Sequence, residues 1–195
     1  MKRIFDIVSS FVALLLGMPF FLIIALFIVL SSKGGVFFVQ KRVGKNNVDF
    51  NLLKFRTMKT DSESKGQITV GNKDPRITKV GYWLRKFKMD EFPQLINVIK
   101  GDMSIVGPRP EVRKYVSLYS DEQLKVLTVR PGLTDIASLE YIDENELLGK
   151  STNPEATYIN EIMPKKLELN LKYIAHQSLW LDIKLIFKTF FKILT

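Results

Sequence analysis

The chain contains no cysteine and a single histidine, His176, among 195 residues. Without thiols, disulfides, thiolate metal sites and cysteine nucleophiles are excluded. One histidine argues equally against a multi-histidine metal site and a histidine-based relay, and His176 reads as structural. Acidic residues are the minority charge, 20 against 29 lysines and arginines, giving a formal net charge of +9. Such an excess favours anionic partners, whether phospholipid headgroups, nucleotides or nucleic acid, and does not choose among them. No internal repeat or low-complexity tract is found. What remains for chemistry is carboxylate, lysine, arginine and hydroxyl, on a chain long enough for one domain plus a membrane element.

Charge is also missing locally. The 24 residues from Ile7 to Leu30 carry none, and as a straight helix they reach roughly 36 Å, enough to span a hydrocarbon core. A cleaved signal peptide normally has a shorter apolar region ending in a small-residue site. Here Ser31-Ser32-Lys33-Gly34-Gly35 leads directly into strand-like sequence. The division expected is therefore a membrane-embedded segment, 1–33, and one further domain, 34–195. Pro19 lies mid-run, where it removes a helix hydrogen bond and clashes with the preceding turn. Lysine and arginine flank the run on both sides, Lys2 and Arg3 before it and Lys33, Lys41, Arg42 and Lys45 after it, whereas a spanning helix is biased to one side. A re-entrant helix-hairpin that breaks at Pro19 satisfies both flanks, and a kinked spanning helix is the alternative.

Beyond it, Val36–Gln40 and Phe50–Phe55 read as strands of a short hairpin around a Gly44–Asn47 turn. The polar stretch 59–76 reads as a loop suited to a lid. Helices are expected over Val80–Lys88, with Tyr82, Trp83, Leu84 and Phe87 as the apolar face, over Asp90–Lys100, and from Arg109 to about Ser120. A further one starts at Asp121, Arg130–Thr134 is expected to form a turn, and 141–170 reads as interrupted helix. Near the C-terminus Leu181, Leu185, Phe187, Phe190 and Phe191 share a helix with Lys184, Lys188 and Lys192. That helix suits either a membrane interface or a core edge with a solvated lysine stripe. Base stacking by Tyr82, Trp83 and Phe87 is a weaker reading than a helix buried on one face. Gly149-Lys150-Ser151 is no P-loop, because Glu144 stands where the motif requires glycine.

The chemistry concentrates in Lys88-Met89-Asp90-Glu91-Phe92-Pro93-Gln94-Leu95 and the corner Gly107-Pro108-Arg109-Pro110. In isolation Asp90 is an ordinary helix cap. Its company changes the balance: Arg85, Lys86 and Lys88 precede it and Arg109 follows. Positive charge keeps a carboxylate ionised, as a nucleophile must be, and neutralises an anionic diphosphate under attack by an anion. Glu91 is then a reasonable oxygen ligand for Mg²⁺.

At these residues the sequence resembles the bacterial sugar transferases, the monotopic polyprenyl-phosphate phosphoglycosyl transferases with one re-entrant membrane helix. The resemblance covers essentially the whole chain. It rests on Lys2-Arg3-Ile4-Phe5-Asp6, Gln40-Lys41-Arg42-Val43-Gly44, Lys54-Phe55-Arg56-Thr57-Met58, Asp90–Leu95 through Arg109-Pro110, and Arg130-Pro131-Gly132-Leu133-Thr134. It implies an α/β, mostly helical fold: the re-entrant hairpin plus a small membrane-associated domain with a β-hairpin and amphipathic interfacial helices, on the cytoplasmic face of the bacterial inner membrane. It implies transfer of a sugar 1-phosphate from a UDP-sugar to undecaprenyl phosphate with release of UMP and dependence on Mg²⁺. Such a reaction starts a capsule, O-antigen, exopolysaccharide or other glycoconjugate. Asp90 matches the nucleophile that forms an aspartyl phosphosugar, and Glu91 the acid that places the metal. Arg56, Arg85, Arg109 and Arg130 match positions that bind phosphate or substrate. No nucleic-acid partner is implied, and a homodimer is compatible. Two departures stand out: Met18 precedes the membrane proline where the family often has serine, and Asp135-Ile136-Ala137-Ser138 replaces the usual Gly-Ala-Gln continuation. The competing readings are a membrane-anchored basic module that binds anionic lipid or nucleic acid, and a glycosyltransferase that releases UDP.

Overall fold

The computed structural model describes residues 1–60 and 74–194. Among the described residues the architecture is mostly helical with two small two-stranded sheets. The segment expected to form a lid falls largely on residues outside that description.

The apolar run forms one helix, α1 (Lys2–Ser31), with Pro19 inside it. The expected break does not divide the run into two separate helices: the chain stays helical across the proline, which deletes one backbone hydrogen bond without ending the helix. Among the described residues α1 is the one helix long and apolar enough to cross a membrane, with mean hydropathy 2.9 over its most apolar stretch. Most of its large side chains are exposed, including Phe11, Leu16, Phe20, Leu22 and Phe27. The few buried ones, Asp6, Ser10, Ile24 and Ile28, lie toward its two ends.

Both ends are tied to the same body. At the start, Lys2 donates to the Val106 carbonyl at 2.9 Å and pairs with the buried Asp182 at 2.6 Å. Arg3 donates to the Ile99 and Met103 carbonyls, and the Asp6 carboxylate accepts from Ser104 Oγ at 2.8 Å and the Ile105 amide at 3.2 Å. At the far end the Arg56 guanidinium donates to the carbonyls of Ser32 (2.8 Å), Gly34 (3.2 Å) and Lys33. The carbonyls of a helix C-terminus lack intrahelical partners, and Arg56 supplies both hydrogen bonds and a favourable charge there. Ile24 and Ile28 then pack on Phe55 and Leu84.

The hairpin expected after α1 is present as antiparallel β1 (Phe37–Val43) and β2 (Asp49–Phe55), paired from Phe37 with Phe55 to Val43 with Asp49. Its turn puts Asn46 and Asn47 at positive φ, which asparagine tolerates best among residues bearing a Cβ. Helix α2 (Lys79–Lys86) starts at Thr78, whose Oγ1 accepts from the Gly81 amide at 2.9 Å. Leu84 is buried, but Tyr82 and Trp83 are exposed, so these aromatics are not core. A Cβ on Gly81 would strike the Thr57 carbonyl, so glycine lets α2 lie directly against the end of the hairpin. Lys88 then adopts a left-handed conformation, φ 54°, redirecting the chain into a 3₁₀ turn, Met89–Glu91, that runs into α3 (Gln94–Lys100).

The region 104–134 departs most from expectation. Residues 109–112 are not helical. A four-residue helix, α4 (Arg113–Val116), replaces the longer one expected, and α5 (Asp121–Leu124) follows. Gly132–Thr134, expected to turn, forms strand β4 in parallel pairing with β3 (Ser104–Val106). Gly107 and Gly132 make the pairing possible, since a Cβ on Gly132 would collide with the Gly107 backbone. Short helices α6 (Ile136–Glu140), α7 (Glu144–Gly149) and α8 (Pro154–Thr157) lead through a π-turn, Tyr158–Ile162, into α9 (Met163–Ala175). Helix α10 (Leu179–Leu194) combines the two readings of the tail: Leu185 and Asp182 are buried against Val106 and Tyr173, while Trp180, Phe187, Phe190 and Phe191 are exposed. His176 caps α9, its ring Nδ1 3.0 Å from the Lys172 carbonyl.

Candidate active site

The acidic pair sits where α2, the hairpin and the Pro108–Pro110 corner converge. Asn97 of α3 fixes this junction: its side chain accepts from the Leu53 amide at 3.0 Å and donates to the Asn51 carbonyl at 2.8 Å. The α3 helix is thereby locked to β2, and Lys54 is carried to the acidic turn. On the opposite side, pairing of β3 with β4 holds the Gly107–Pro110 corner, with the Gly132 amide donating to the Pro108 carbonyl at 2.9 Å.

Glu91 is buried and held by two cations. Arg109 engages it with both terminal nitrogens, Nη1 to Oε2 at 3.2 Å and Nη2 to Oε1, while Lys54 Nζ reaches Oε1 at 3.2 Å. This fork geometry is the strong form of an arginine–carboxylate contact. Burial pushes the Glu91 carboxyl up, but Arg109 and Lys54 outweigh it and hold the group well below the usual carboxylate range. Arg109 is reciprocally raised, chiefly by Glu91, whereas burial pulls Lys54 down.

Asp90 has the opposite character. It is equally buried, yet its Oδ1 has no hydrogen-bond partner. Burial pushes its carboxyl above the ordinary range, opposed by Lys54, Arg85 and Lys88 and reinforced by the neighbouring Glu91. Adjacent carboxylates are thus driven apart, one favoured as an anion by its cations and the other poorly solvated. Environments that split a titratable pair in this way mark functional sites.

The structure brings Asp90, Glu91, Lys54, Arg85 and Arg109 together and sends two expected arginines elsewhere. Arg85 donates to Thr57 Oγ1 at 2.9 Å and lies within electrostatic reach of Asp90. Arg56 is turned onto the end of α1, as described above. Arg130 donates to the Gly101 carbonyl at 2.8 Å, at the C-terminus of α3. Pro19 lies in α1 among exposed apolar residues.

Sequence reasoning missed Lys54, although a lysine between Leu53 and Phe55 in a strand is a signal in its own right. It also missed a partly buried layer beside Arg109. There Arg42 donates to Glu111 Oε1 at 3.0 Å and to the Pro110 carbonyl at 3.1 Å, and Tyr158 donates to Glu111 Oε2. This layer grips Pro110 and Glu111, the two residues that follow Arg109.

A family model described as bacterial sugar transferase matches residues 1–195. The chain belongs to the bacterial sugar transferase family. An Aeromonas hydrophila protein named UDP-N-acetylgalactosamine-undecaprenyl-phosphate N-acetylgalactosaminephosphotransferase is 40% identical over 100% of this chain and 44% of its own length. The UDP-glucose:undecaprenyl-phosphate glucose-1-phosphate transferase of Escherichia coli K12 is 40% identical over 98% of this chain and 40% of its own length. The exopolysaccharide production protein ExoY of Rhizobium meliloti is 36% identical over 96% of this chain and 83% of its own length. The chain therefore spans less than half of the first two relatives and most of the third.

Proposed function

We propose that the protein transfers a sugar 1-phosphate from a UDP-sugar to undecaprenyl phosphate through a covalent intermediate on Asp90. The observation that carries this reading is the buried Asp90 carboxylate with an unpartnered oxygen, beside a Glu91 engaged by Arg109 and Lys54. Asp90 attacks the phosphorus that bears the sugar; an O–P bond forms, the bond to the bridging oxygen breaks, and UMP leaves with the electron pair. The lipid phosphate then attacks the same phosphorus and frees Asp90. One site serves both steps, because each presents an anionic phosphate to the same surrounding cations. The donors in the names of the relatives, glucose and N-acetylgalactosamine, are the first to test.

Mg²⁺ is bound through one or two carboxylates completed by substrate phosphates and water. Among the described residues no group of three or more acidic or histidine ligands gathers. The hard oxygens of the acidic turn fit such an ion only together with a diphosphate. Glu91, held as an anion, is the residue that would hold it, and the ion would neutralise charge on the diphosphate.

For the membrane, the support is α1. Its middle exposes apolar surface that water does not solvate, and both its ends are hydrogen-bonded to the one globular body. A helix entering and leaving the bilayer on the cytoplasmic face, beside the lipid carrier, accommodates both facts. Intact-mass analysis of the protein after mixing with UDP-glucose or UDP-N-acetylgalactosamine, without acceptor, tests the covalent step. An adduct of one phosphosugar, absent in Asp90→Asn, is expected; absence of the adduct with a donor that turns over would overturn the reading.

A further inference from the structure

Two buried polar atoms near the acidic turn lack partners, and they are complementary. Asp90 Oδ1 is an acceptor and Gln94 Nε2 is a donor, and neither makes a hydrogen bond. Gln94 is only 2% exposed, so bulk water does not compensate its amide. Leaving such a donor unpaired costs about 1–3 kcal/mol, which singles the position out within an otherwise well-paired junction.

The backbone carries the two residues on one stretch of right-handed turn. Phe92 (φ −54°, ψ −36°) and Pro93 (φ −59°, ψ −18°) are both right-handed helical, so the turn at Met89–Glu91 runs without interruption into α3. Residues 90 and 94 therefore stand four apart on one helical face, a spacing that makes side chains neighbours. The cations seen to bind a carboxylate here, Lys54 and Arg109, are both engaged with Glu91. The Gln94 amide is a neutral donor that no neighbouring carboxylate occupies.

We propose that Gln94 is a further catalytic residue, its Nε2–H donating to a nonbridging oxygen of the phosphoryl group that Asp90 attacks. The assignment rests on Asp90 as the nucleophile. While the Asp90 Oδ1–phosphorus bond forms and the bond to the UMP oxygen breaks, charge shifts over the phosphoryl oxygens. A fixed, desolvated donor stabilises that charge without reorganising. No proton is transferred: the amide keeps its hydrogens, and UMP departs as the anion. One phosphoryl group then satisfies both orphaned atoms, its phosphorus meeting the acceptor and its oxygen the donor.

The test compares wild type, Gln94→Met, Gln94→Glu and Asp90→Asn as full-length protein in detergent, with UDP-glucose or UDP-N-acetylgalactosamine, undecaprenyl phosphate and Mg²⁺. Gln94→Met keeps the shape and removes the donor. The expected result is a kcat lower by about 100-fold, the loss seen for single oxyanion donors, with donor KM within about threefold and an unchanged thermal midpoint. A folded Gln94→Met with kcat within about threefold of wild type, while Asp90→Asn is dead, overturns the role of Gln94 alone. A loss carried by KM only overturns it too, leaving a binding residue. If Gln94→Met melts early, Gln94→Glu decides: its carboxylate repels the phosphoryl oxygens, so near-wild-type kcat in that variant overturns the proposal and a collapse in kcat at unchanged midpoint upholds it. Turnover in Asp90→Asn would instead bring down the nucleophile reading and this inference with it.

Discussion

At the scale of the residue, the acidic pair makes two opposite statements about pH. The folded-state pKa of Asp90 is raised, so the folded chain favours its protonated form and loses stability as pH rises through that pKa. At neutral pH the ionised carboxylate therefore costs stability, and Asp90→Asn is expected to raise the thermal midpoint while lowering turnover by about 10³-fold or more. Calorimetry of the two proteins at pH 7 checks this; a lowered midpoint would contradict the desolvated carboxylate. Turnover should fall as pH drops through the raised pKa, because the nucleophile is the anion. Glu91 is depressed, so its contribution is present above its unfolded pKa and lost only as pH falls through the folded one. Glu91→Gln leaves Arg109 and Lys54 unpaired and should cost about 3 kcal/mol, the lower end for a buried pair because Arg109 is partly exposed. Urea titration measures it, and a neutral result would show that water replaces the pairing.

At the scale of the element, what was legible in the sequence is what local pattern encodes. The hairpin, α2, the helix after Asp90 and the amphipathic tail follow from apolar period, turn residues and caps. The parallel pairing of β3 with β4 was not legible, because strands of three residues carry no period and their partner lies far along the chain. For the same reason Arg56 was expected at phosphate: nothing around it reveals that the carbonyls it caps belong to the end of α1. The acidic pair and Arg109 stood out through their company, two carboxylates among arginines and lysines beside a Pro-Arg-Pro corner. Lys54 was missed although its place between Leu53 and Phe55 in a strand was a signal. Two outcomes belong to this scale. Gly132→Ala should cost about 3 kcal/mol or prevent folding, since its Cβ meets the Gly107 backbone, which has no rotamer to yield. Unchanged thermal unfolding would show that the two short strands separate cheaply. Cysteines placed ahead of Lys2 and at Lys33 should both react with an impermeant maleimide from the cytoplasmic side of inverted vesicles, and reaction from opposite sides would make α1 a spanning helix.

At the scale of the whole molecule, an apolar helix, exposed aromatics on α2 and α10 and a net charge of +9 suit the proposed reaction, in which every substrate is an anion and one is a lipid. On the proposed reading, anchoring brings the acidic turn to the carrier, and fixed cations offset the repulsion between two phosphates and a carboxylate. The central claim is that the sugar leaves its donor with one phosphate attached, and the nucleotide released reports this directly. The purified chain should be incubated with undecaprenyl phosphate, Mg²⁺ and UDP-glucose or UDP-N-acetylgalactosamine, and the nucleotide product identified. Release of UMP, matched by a lipid-linked diphosphate sugar, is the predicted result. Release of UDP would mean direct glycosyl transfer and would contradict the account.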